Sequence, residues 1–577
     1  MPDKKEIINL LEDIADMMEF KGENIFKVNA YRNGASSIRK AGEDIEQLIK
    51  AKKLDEVKGI GKGLQSVIYE YVNTGKSLLY EELKKSVPEG FKELLKVRGL
   101  GSKKIKILFD ELGISNLGEL EYACKENRLG LLKGFGEATQ QKILKEIEKI
   151  KTYGKFILLN KAGEISDEIL KRLSGLKPVL RIAVSGQERR GLEIISELRF
   201  VLAVSDKRLF LSELKKIFSF SELTSNLSGK EKGNKILISN GFQVPVIFSI
   251  LEEENNFCKE MFLTTGSDEF LSGLKIDSSK ITGKNEKEIF DSINFPYVIP
   301  EMREKEYFEI QNRVLHDKNK ELLENSDLSV DHFKGLLHFH TNYSDAQNTL
   351  TEMLETAQKT GFEFAAVCDH SKSAAYANGL SEERVLLQKE EIKKLNAKFK
   401  LQILQGIESD ILQDGSLDYS NDFLKNFDFV VASVHSRFNM EEEEMTKRII
   451  KAVENPYTNL LGHPTGRLLL SRDAYKVNME KVIDACASNN VAIEINANPH
   501  RLDLDWRLIY FARGKGCLFS INPDAHSAEE ISYIKYGVLI GRKGGLKFEE
   551  VINCFSVEDF RNYLGDKRKG KSLGRRS

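Results

Sequence analysis

Two histidines one residue apart stand in the stretch Leu337-His338-Phe339-His340-Thr341-Asn342-Tyr343-Ser344-Asp345. Side chains on an extended strand repeat every second residue, so both imidazoles face the same side and can reach one metal ion. A single pair of this kind is weak evidence, because a buried histidine is more often a core residue than a ligand. The pair gains weight because similar strand ends recur further along the chain.

Seven short apolar runs follow this pattern: Leu336-Leu337, Phe364–Val367, Leu401–Leu404, Phe429–Ala432, Leu460-Leu461, Val491–Ile493 and Leu518–Ile521. At or just past their ends stand possible ligands or acid–base groups: His338 and His340, Asp369 and His370, Glu408 and Asp410, His435, His463, Glu494, and Asp524 and His526. Helical patterns such as Thr351 to Thr360 and Glu383 to Lys398 lie between runs. This alternation of strands and helices predicts a parallel sheet. Ligand and acid–base residues at the carboxyl ends of the strands are typical of the active face of a closed β/α barrel.

The histidines are unevenly distributed. None of the nine precedes His316, and six lie on these strand ends. Clustering of that kind predicts a metal site of mixed histidine and carboxylate ligands.

These motifs resemble the PHP (polymerase and histidinol phosphatase) domain from about Gly335 to Val551. They are His338-Phe339-His340 with Asp345, Cys368–Ser371, Gly406–Glu408, Ser433–Ser436, Gly462–Pro464, Glu494–Asn498 and Pro523–Ser527. The resemblance implies a distorted (β/α)7 barrel that hydrolyses phosphate esters with two or three divalent ions. Zinc, manganese or iron suits such ligands better than magnesium alone, which stays possible.

The resemblance also implies which residues act. It makes His338, His340, Glu408 and Asp524 a first site, with Glu408 bridging to a second ion shared with His435. Asp345, His370 and His526 complete a further site, and His463 lies near the cluster. The catalytic set it implies is His338, His340, Glu408, His435, His463 and Asp524. Arg437, Arg467 and Arg501, beyond strand ends, are candidates to hold phosphate or else solvated surface.

Length and composition bound the rest. A chain of 577 residues exceeds one core and predicts several domains. The net charge of −1 excludes a global field for nucleic acid, so DNA binding must be local. Six cysteines without paired spacing indicate a reducing, cytoplasmic location, and we expect no signal peptide and no membrane association.

Three similar turns lie before residue 150. They are Val57–Gly63, Val97–Lys103 and Leu132–Glu137, and they contain Gly59, Gly61 and Lys62; Gly99, Gly101 and Lys103; and Gly134 and Gly136. Each opens a helix whose free N–H groups can receive phosphate oxygens without base contacts. The turns resemble helix-hairpin-helix units, and this region carries 27 lysines and arginines against 25 aspartates and glutamates. We expect sequence-independent binding of gapped, nicked or 3′-ended DNA.

With Phe26–Arg32, the turns resemble the N-terminal and fingers regions of family X DNA polymerases. Some members of that family use a lysine on the helix after the first turn for a lyase reaction. Val67 occupies that position here and cannot form a Schiff base, so lyase activity by that route is not expected.

The palm expected next is degenerate. Gly186-Gln187-Glu188-Arg189-Arg190-Gly191 keeps the family's Arg-Arg-Gly, but Gln187 replaces its serine. The two aspartates of the metal-binding strand fall on Glu197 and Arg199, and Pro245 stands at the third carboxylate. Two divalent ions need such carboxylates, so we expect a dead polymerase centre.

The resemblance therefore implies a multidomain chain. Residues 1–85 form an all-α helix-hairpin-helix DNA-binding domain; 86–150 a fingers-like, all-α helix-hairpin-helix domain; 151–315 an α/β, nucleotidyltransferase-like palm and thumb; 316–334 a linker; and 335–577 the barrel with a basic tail. We expect a monomeric DNA repair protein with a metal-dependent 3′-5′ exonuclease or 3′-end phosphodiesterase. The alternatives are an active gap-filling polymerase with exonuclease, a histidinol-phosphatase-like small-molecule phosphatase and a non-catalytic DNA-binding scaffold.

Overall fold

The computed structural model describes residues 4–40, 48–49, 51, 53–125, 128–132, 134–218, 221–222, 235–238, 243–252, 254–277, 280–317 and 324–568. The chain divides into two compact units, Met1–Gly154 and Lys155–Ser577. The expected domain boundaries within each unit stay predictions. No helix among the described residues is long and apolar enough to cross a bilayer.

The first unit is helical in its described parts, as expected. Its α-helices are Lys4–Lys21, Ile25–Lys40, Lys62–Thr74, Leu78–Lys84, Phe91–Leu95, Ser102–Leu112, Leu117–Lys125 and Glu137–Tyr153. The first helix buries Ile7, Leu11, Ile14 and Met18, which lie three or four residues apart on one face. This face packs into a core shared with the later helices of the unit.

The three predicted turns share a backbone conformation. Gly59, Gly99 and Gly134 have φ values of +95°, +87° and +91°, in the left-handed region that favours glycine. A helix begins at the end of each turn, at Lys62, Ser102 and Glu137. Lys133, part of the third turn in the sequence, lies outside the described residues.

The second unit begins with the α/β region that the sequence predicts to be a palm, and we call it the palm below. Its strands are β1 (Ile157–Leu158), β2 (Val179–Ser185), β3 (Ile194–Ile195), β4 (Leu198–Val204), β5 (Ser221–Glu222), β6 (Lys235–Ile238) and β7 (Val246–Leu251). Five of them form a mixed sheet in the order β2-β4-β7-β6-β5. The α-helices here are Leu159–Leu173, Gly186–Arg189, Lys207–Ile217, Phe257–Thr265, Asp268–Gly273, Glu286–Ser292 and Glu306–Asp317.

Seven parallel strands follow: β8 (Gly335–Phe339), β9 (Phe364–Val367), β10 (Gln402–Asp410), β11 (Phe429–Ser433), β12 (Leu460–Leu461), β13 (Ala492–Asn496) and β14 (Phe519–Asn522). They pair in chain order, and the His340 amide donates to the Ala525 carbonyl at 2.9 Å, so the barrel is nearly closed. The α-helices are Leu350–Thr360, Glu382–Asn396, Asn421–Leu424, Glu442–Val453, Met479–Ser488, Trp506–Gly514, Ile534–Lys543 and Val557–Arg568. The predicted β/α barrel is confirmed.

Palm and barrel share buried charges. Lys543, fully buried, lies 2.7 Å from a carboxylate oxygen of Glu304, which Arg190 contacts at 2.8 Å. The expected linker takes part in this packing where it is described, because Leu328 is buried and Ser326 donates to the Leu546 carbonyl. The described parts of residues 155–568 therefore pack against one another as one body and are not separate domains joined by a flexible linker.

Candidate metal centre

Nine side chains predicted as metal ligands meet at the carboxyl ends of the barrel strands. They are His338, His340, Asp345, His370, Glu408, His435, His463, Asp524 and His526. Their strands supply them as expected, since β8 carries His338, β10 carries Glu408, and the others follow strand ends. Strand alternation places His338 and His340 on one face, and both are fully buried.

Glu408 lies at the middle of the cluster. Its Oε1 lies 2.9 Å from His463 Nε2 and 3.3 Å from His435 Nε2. Its Oε2 lies 2.9 Å from His370 Nδ1 and 3.6 Å from His340 Nε2. Burial alone would raise the Glu408 pKa, but the charges of His435, His370 and His338 hold it well below the ordinary range. The carboxylate is therefore an anion that several imidazoles share.

Three groups of side chains place their ligating atoms within 4.8 Å of one another. One consists of His338, His340 and Asp524; a second of His370, Glu408 and His435; and the third of His340, Asp345, His370 and His526. The groups share His340 and His370, so they form one connected cluster rather than three separate ones.

Carboxylates behind the cluster fix the ring orientations. Glu494 Oε1 lies 2.7 Å from His338 Nδ1, and Asp410 Oδ1 lies 2.6 Å from His435 Nδ1. Metal-ligating histidines commonly use their second nitrogen in this way, which leaves the first for the ion. Both residues stand at strand ends in the sequence but are absent from the predicted ligand set. The available signal for Asp410 is its position two residues after Glu408 on β10, and Glu494 has no such local signal.

Several buried atoms of the cluster lack a hydrogen-bond partner in the part of the chain that the structure describes. His338 Nε2, His340 Nδ1, Glu408 Oε2 and His463 Nδ1 are buried and have no hydrogen-bond partner among the described residues. Buried polar atoms without partners are costly, and convergent ones suit a cation. His370 Nδ1 and Glu408 Oε2 also lack a hydrogen bond, although 2.9 Å separates them, because their geometry is not aligned for one.

Backbone strain accompanies these ligands. His463 and Asp524 have φ values of +24° and +51°, in the left-handed region that side chains rarely adopt. Such strain persists only where the surroundings determine it, and it concentrates at functional sites. The backbone here sets the side-chain directions at the cluster.

The three arginine candidates differ. Arg501 Nε lies 3.5 Å from Asp524 Oδ2 at the edge of the centre, with 18% of its side chain exposed. Arg467 instead contacts Glu193 and Asp505 and donates to the Arg501 carbonyl, so it joins the barrel to the palm rather than facing phosphate. Arg437 is exposed.

The palm residues that depart from the polymerase motif, Gln187, Glu197, Arg199 and Pro245, lie close to one another. Arg199 Nε donates to Glu197 Oε1 at 2.5 Å, and the Leu198 amide donates to the Pro245 carbonyl. Gln187 bonds Ser196 instead of facing a nucleotide. In the part of the palm that the structure describes, no three His, Cys, Asp or Glu side chains gather as a metal site would need.

The surviving arginines of the palm are paired internally. Arg189 contacts Glu286, and Arg190 donates to Glu304 and to the Thr265 carbonyl.

In the first unit, Val67 is nearly buried, as expected of a core residue. Gly61 and Gly101 begin helices without a side-chain cap, and Lys62 and Lys103 beside them are exposed. The first-turn N–H groups of these helices are thus available to phosphate.

Comparisons with known proteins agree with this organisation. Residues 2–77 match the helix-hairpin-helix domain family, residues 91–149 a SAM-like helix-hairpin-helix tandem and residues 337–498 the PHP domain. The DNA polymerase/3′-5′ exonuclease PolX of Bacillus subtilis (strain 168) is 34% identical over 580 residues, covering 97% of this chain and 99% of that protein.

Shorter relatives match part of the chain. A probable phosphatase of Thermoanaerobacter sp. (strain X514) is 27% identical over 246 residues, covering 40% of this chain and 94% of that protein. A probable phosphatase of Acetivibrio thermocellus is 28% identical over 251 residues, covering 41% of this chain and 97% of that protein.

Proposed function

This chain belongs to the family X DNA polymerase/3′-5′ exonucleases, and on that premise we propose that its barrel is a metal-dependent phosphoesterase that removes nucleotides from DNA 3′ ends. The observation that carries the proposal is the buried cluster around Glu408, where five histidines lie within 3.6 Å of one carboxylate. A purely structural core would not leave so many buried nitrogens without a partner.

We assign the ligands as the sequence motifs suggest. His338, His340, Glu408 and Asp524 would hold one ion, with Glu408 shared toward His435. Asp345, His370 and His526 would hold another, and His463 would complete the surroundings of Glu408. Two or three ions of zinc, manganese or iron suit these mixed ligands, and magnesium alone suits them less.

The reaction would be hydrolysis of the last phosphodiester. Bound divalent ions would supply an activated water and positive charge for the phosphoryl oxygens. The water oxygen bonds to phosphorus, the P–O3′ bond breaks, and the released 3′ oxygen takes up a proton. Arg501 beside Asp524 is placed to face a phosphoryl oxygen. The products are a nucleoside 5′-monophosphate and a DNA one nucleotide shorter.

The other domains would hold the DNA. The turns at Gly59, Gly99 and Gly134 would bind backbone phosphates without reading sequence, which suits gapped, nicked or 3′-ended DNA. With Arg199 at a metal-ligand position and its palm arginines paired internally, the palm would serve as a scaffold without polymerase activity. We propose a monomer that acts on DNA in the cytoplasm.

A second candidate is hydrolysis of small phosphate monoesters, favoured by the similarity of part of the chain to probable phosphatases. An active polymerase would require carboxylates other than those at the aligned palm positions, and a non-catalytic scaffold would leave the cluster without a purpose.

Product identity separates these candidates. The full chain, loaded with manganese, would be incubated with 3′-labelled DNA and, separately, with histidinol phosphate. Release of labelled nucleoside 5′-monophosphate that stops with EDTA and in His340→Ala supports the proposal. Release of inorganic phosphate from histidinol phosphate, with DNA left intact, would overturn it.

A further inference from the structure

Tyr376 stands at the mouth of the metal centre. Its ring centroid lies 6.0 Å from that of His370 and 6.4 Å from that of His435. Among the described aromatic side chains of the second unit, it is the most exposed, at 70%. A single exposed ring is common on protein surfaces, so the feature that sets Tyr376 apart is its position beside two histidines of the cluster.

The loop that carries Tyr376 is held on both sides. At its start, Ser373 bonds Asp410 and Asp418 through Oγ and its amide, at 2.8 and 2.6 Å. Past Tyr376, Asn378 donates to the Tyr343 and Ser344 carbonyls, and Arg384 donates to the Asn378 carbonyl.

Close packing completes this hold. A Cβ on Gly379 would lie only 1.9 Å from the Ser371 carbonyl oxygen, so only glycine fits there. These contacts hold the loop in place, so the exposed Tyr376 ring has a fixed position. Tyr376 follows His370 by six residues in the chain.

A fixed, exposed ring beside a phosphate-binding centre suits a nucleobase. Aromatic side chains stack on bases of any sequence, because every base has a π face. A base is separated from its 5′-phosphate by one sugar, which matches a ring that lies next to the ligands rather than among them. A sugar phosphate without an aromatic ring would gain nothing from stacking on Tyr376.

We propose that Tyr376 stacks on the 3′-terminal base and makes the centre select nucleotides over phosphate esters that lack a base. The inference rests on the proposed exonuclease function and deepens it by naming what the mouth recognises. Tyr376 would position substrate without touching the reacting atoms. We assign the effect to the ring, which faces the rings of His370 and His435, rather than to the hydroxyl.

Binding tests the proposal directly. Calorimetry on the manganese-loaded full chain would compare thymidine 5′-monophosphate with 2-deoxyribose 5-phosphate. Wild type should bind the nucleotide about 5- to 150-fold more tightly, the range expected for stacking of one base. Tyr376→Ala should bring this ratio close to one, and Tyr376→Phe should keep it. Leu387→Ala, at another exposed apolar side chain, is the matched control and should change nothing.

Kinetics separate this inference from the function on which it rests. With DNA ending in a normal nucleotide, Tyr376→Ala should raise KM while kcat stays within about twofold, because stacking acts equally on ground and transition states. With a 3′-terminal abasic residue, wild type and variant should behave alike.

The opposing outcomes are distinct. An unchanged binding ratio in Tyr376→Ala, or loss of the ratio in Tyr376→Phe, would overturn the stacking proposal while 3′-end cleavage by wild type keeps the exonuclease. Failure of wild type to cleave any DNA 3′ end would overturn both.

Discussion

His338 Nδ1 lies 2.7 Å from Glu494 Oε1, and both side chains are fully buried, so only Nε2 of that imidazole faces the cluster. Glu494 also accepts from the His463 amide through its other oxygen, at 2.7 Å. One carboxylate therefore orients two strand ends at the centre, although it is not itself among the grouped ligands.

Glu494→Gln should weaken the centre without removing a ligand. Loss of an orienting carboxylate commonly costs about 10- to 100-fold in metal affinity or activity. For the variant, we expect a lower manganese content than wild type when the metal is limiting. We also expect its rate of 3′-end cleavage to fall by that factor. Exposed Glu480→Gln is the control, and equal behaviour of the two variants would contradict the orienting role.

Lys543→Met should destabilise the palm and barrel together. Lys543 is fully buried and donates to Glu304 and to the Arg190 carbonyl. Its removal therefore takes one hydrogen-bond donor from each of these acceptors. Breaking a buried ion pair on one side costs about 3–5 kcal/mol, and less here because Arg190 still pairs Glu304. Thermal melting should show a clear fall in Tm, whereas Lys535→Met, at an exposed lysine, should not; equal melting points would refute the claim.

The stability of the palm should depend on pH through Glu188. Burial, opposed by the Ser166 hydrogen bond and aided by Asp167, raises the pKa of Glu188 from 4.5 to about 7. Between these values the folded protein keeps a proton that the unfolded chain has released, so this group's contribution is present below pH 4.5 and lost as pH rises through 7.

Glu188→Gln removes that dependence. Relative to the variant, wild type should lose roughly 1–3 kcal/mol between pH 5 and pH 8, from about 1.4 kcal/mol per pKa unit. The difference in Tm between the two proteins, measured across this range, checks the expectation. Glu168→Gln is the exposed control, and a difference independent of pH would exclude Glu188 as the cause.

Paired charge reversal at the turns should weaken DNA binding uniformly. In Lys62→Glu/Lys103→Glu, two exposed cations next to helix N-termini become anions. Each lost phosphate contact lowers the slope of log K against log salt by about one, so the double variant should lose about two. Titration of labelled gapped DNA at several salt concentrations measures the slope. Lys145→Glu, away from a helix start, should keep it; a preserved slope in the double variant would argue against the turns.

Much of the barrel follows from sequence because its signals are local. The apolar run Phe364–Val367 becomes β9 unchanged, and the clustered histidines and carboxylates stand within or next to such runs. The left-handed φ at Gly59 and Gly99 was likewise encoded in short motifs.

What the sequence did not disclose depends on distant pairing. Glu494 and His338 are 156 residues apart, and Lys543 and Glu304 are 239 apart, so only the fold brings them together. The linker expected from polar residues 316–334 carries Leu328, whose burial depends on packing near Leu546 and not on local composition. Arg467 was a phosphate candidate by position, but Glu193 of the palm pairs it.

The central claim is that the barrel shortens DNA and the palm does not lengthen it. Manganese, deoxynucleoside triphosphates and a 5′-labelled gapped primer-template would be incubated with wild type and with Glu408→Gln, and primer length would be followed on a gel. Glu355→Gln is the matched control. We predict shortening by wild type and the control, at least about 100-fold slower shortening by Glu408→Gln, and no extension by any of them. Extension of the primer by Glu408→Gln would contradict the account, because it would mean that the palm still polymerises.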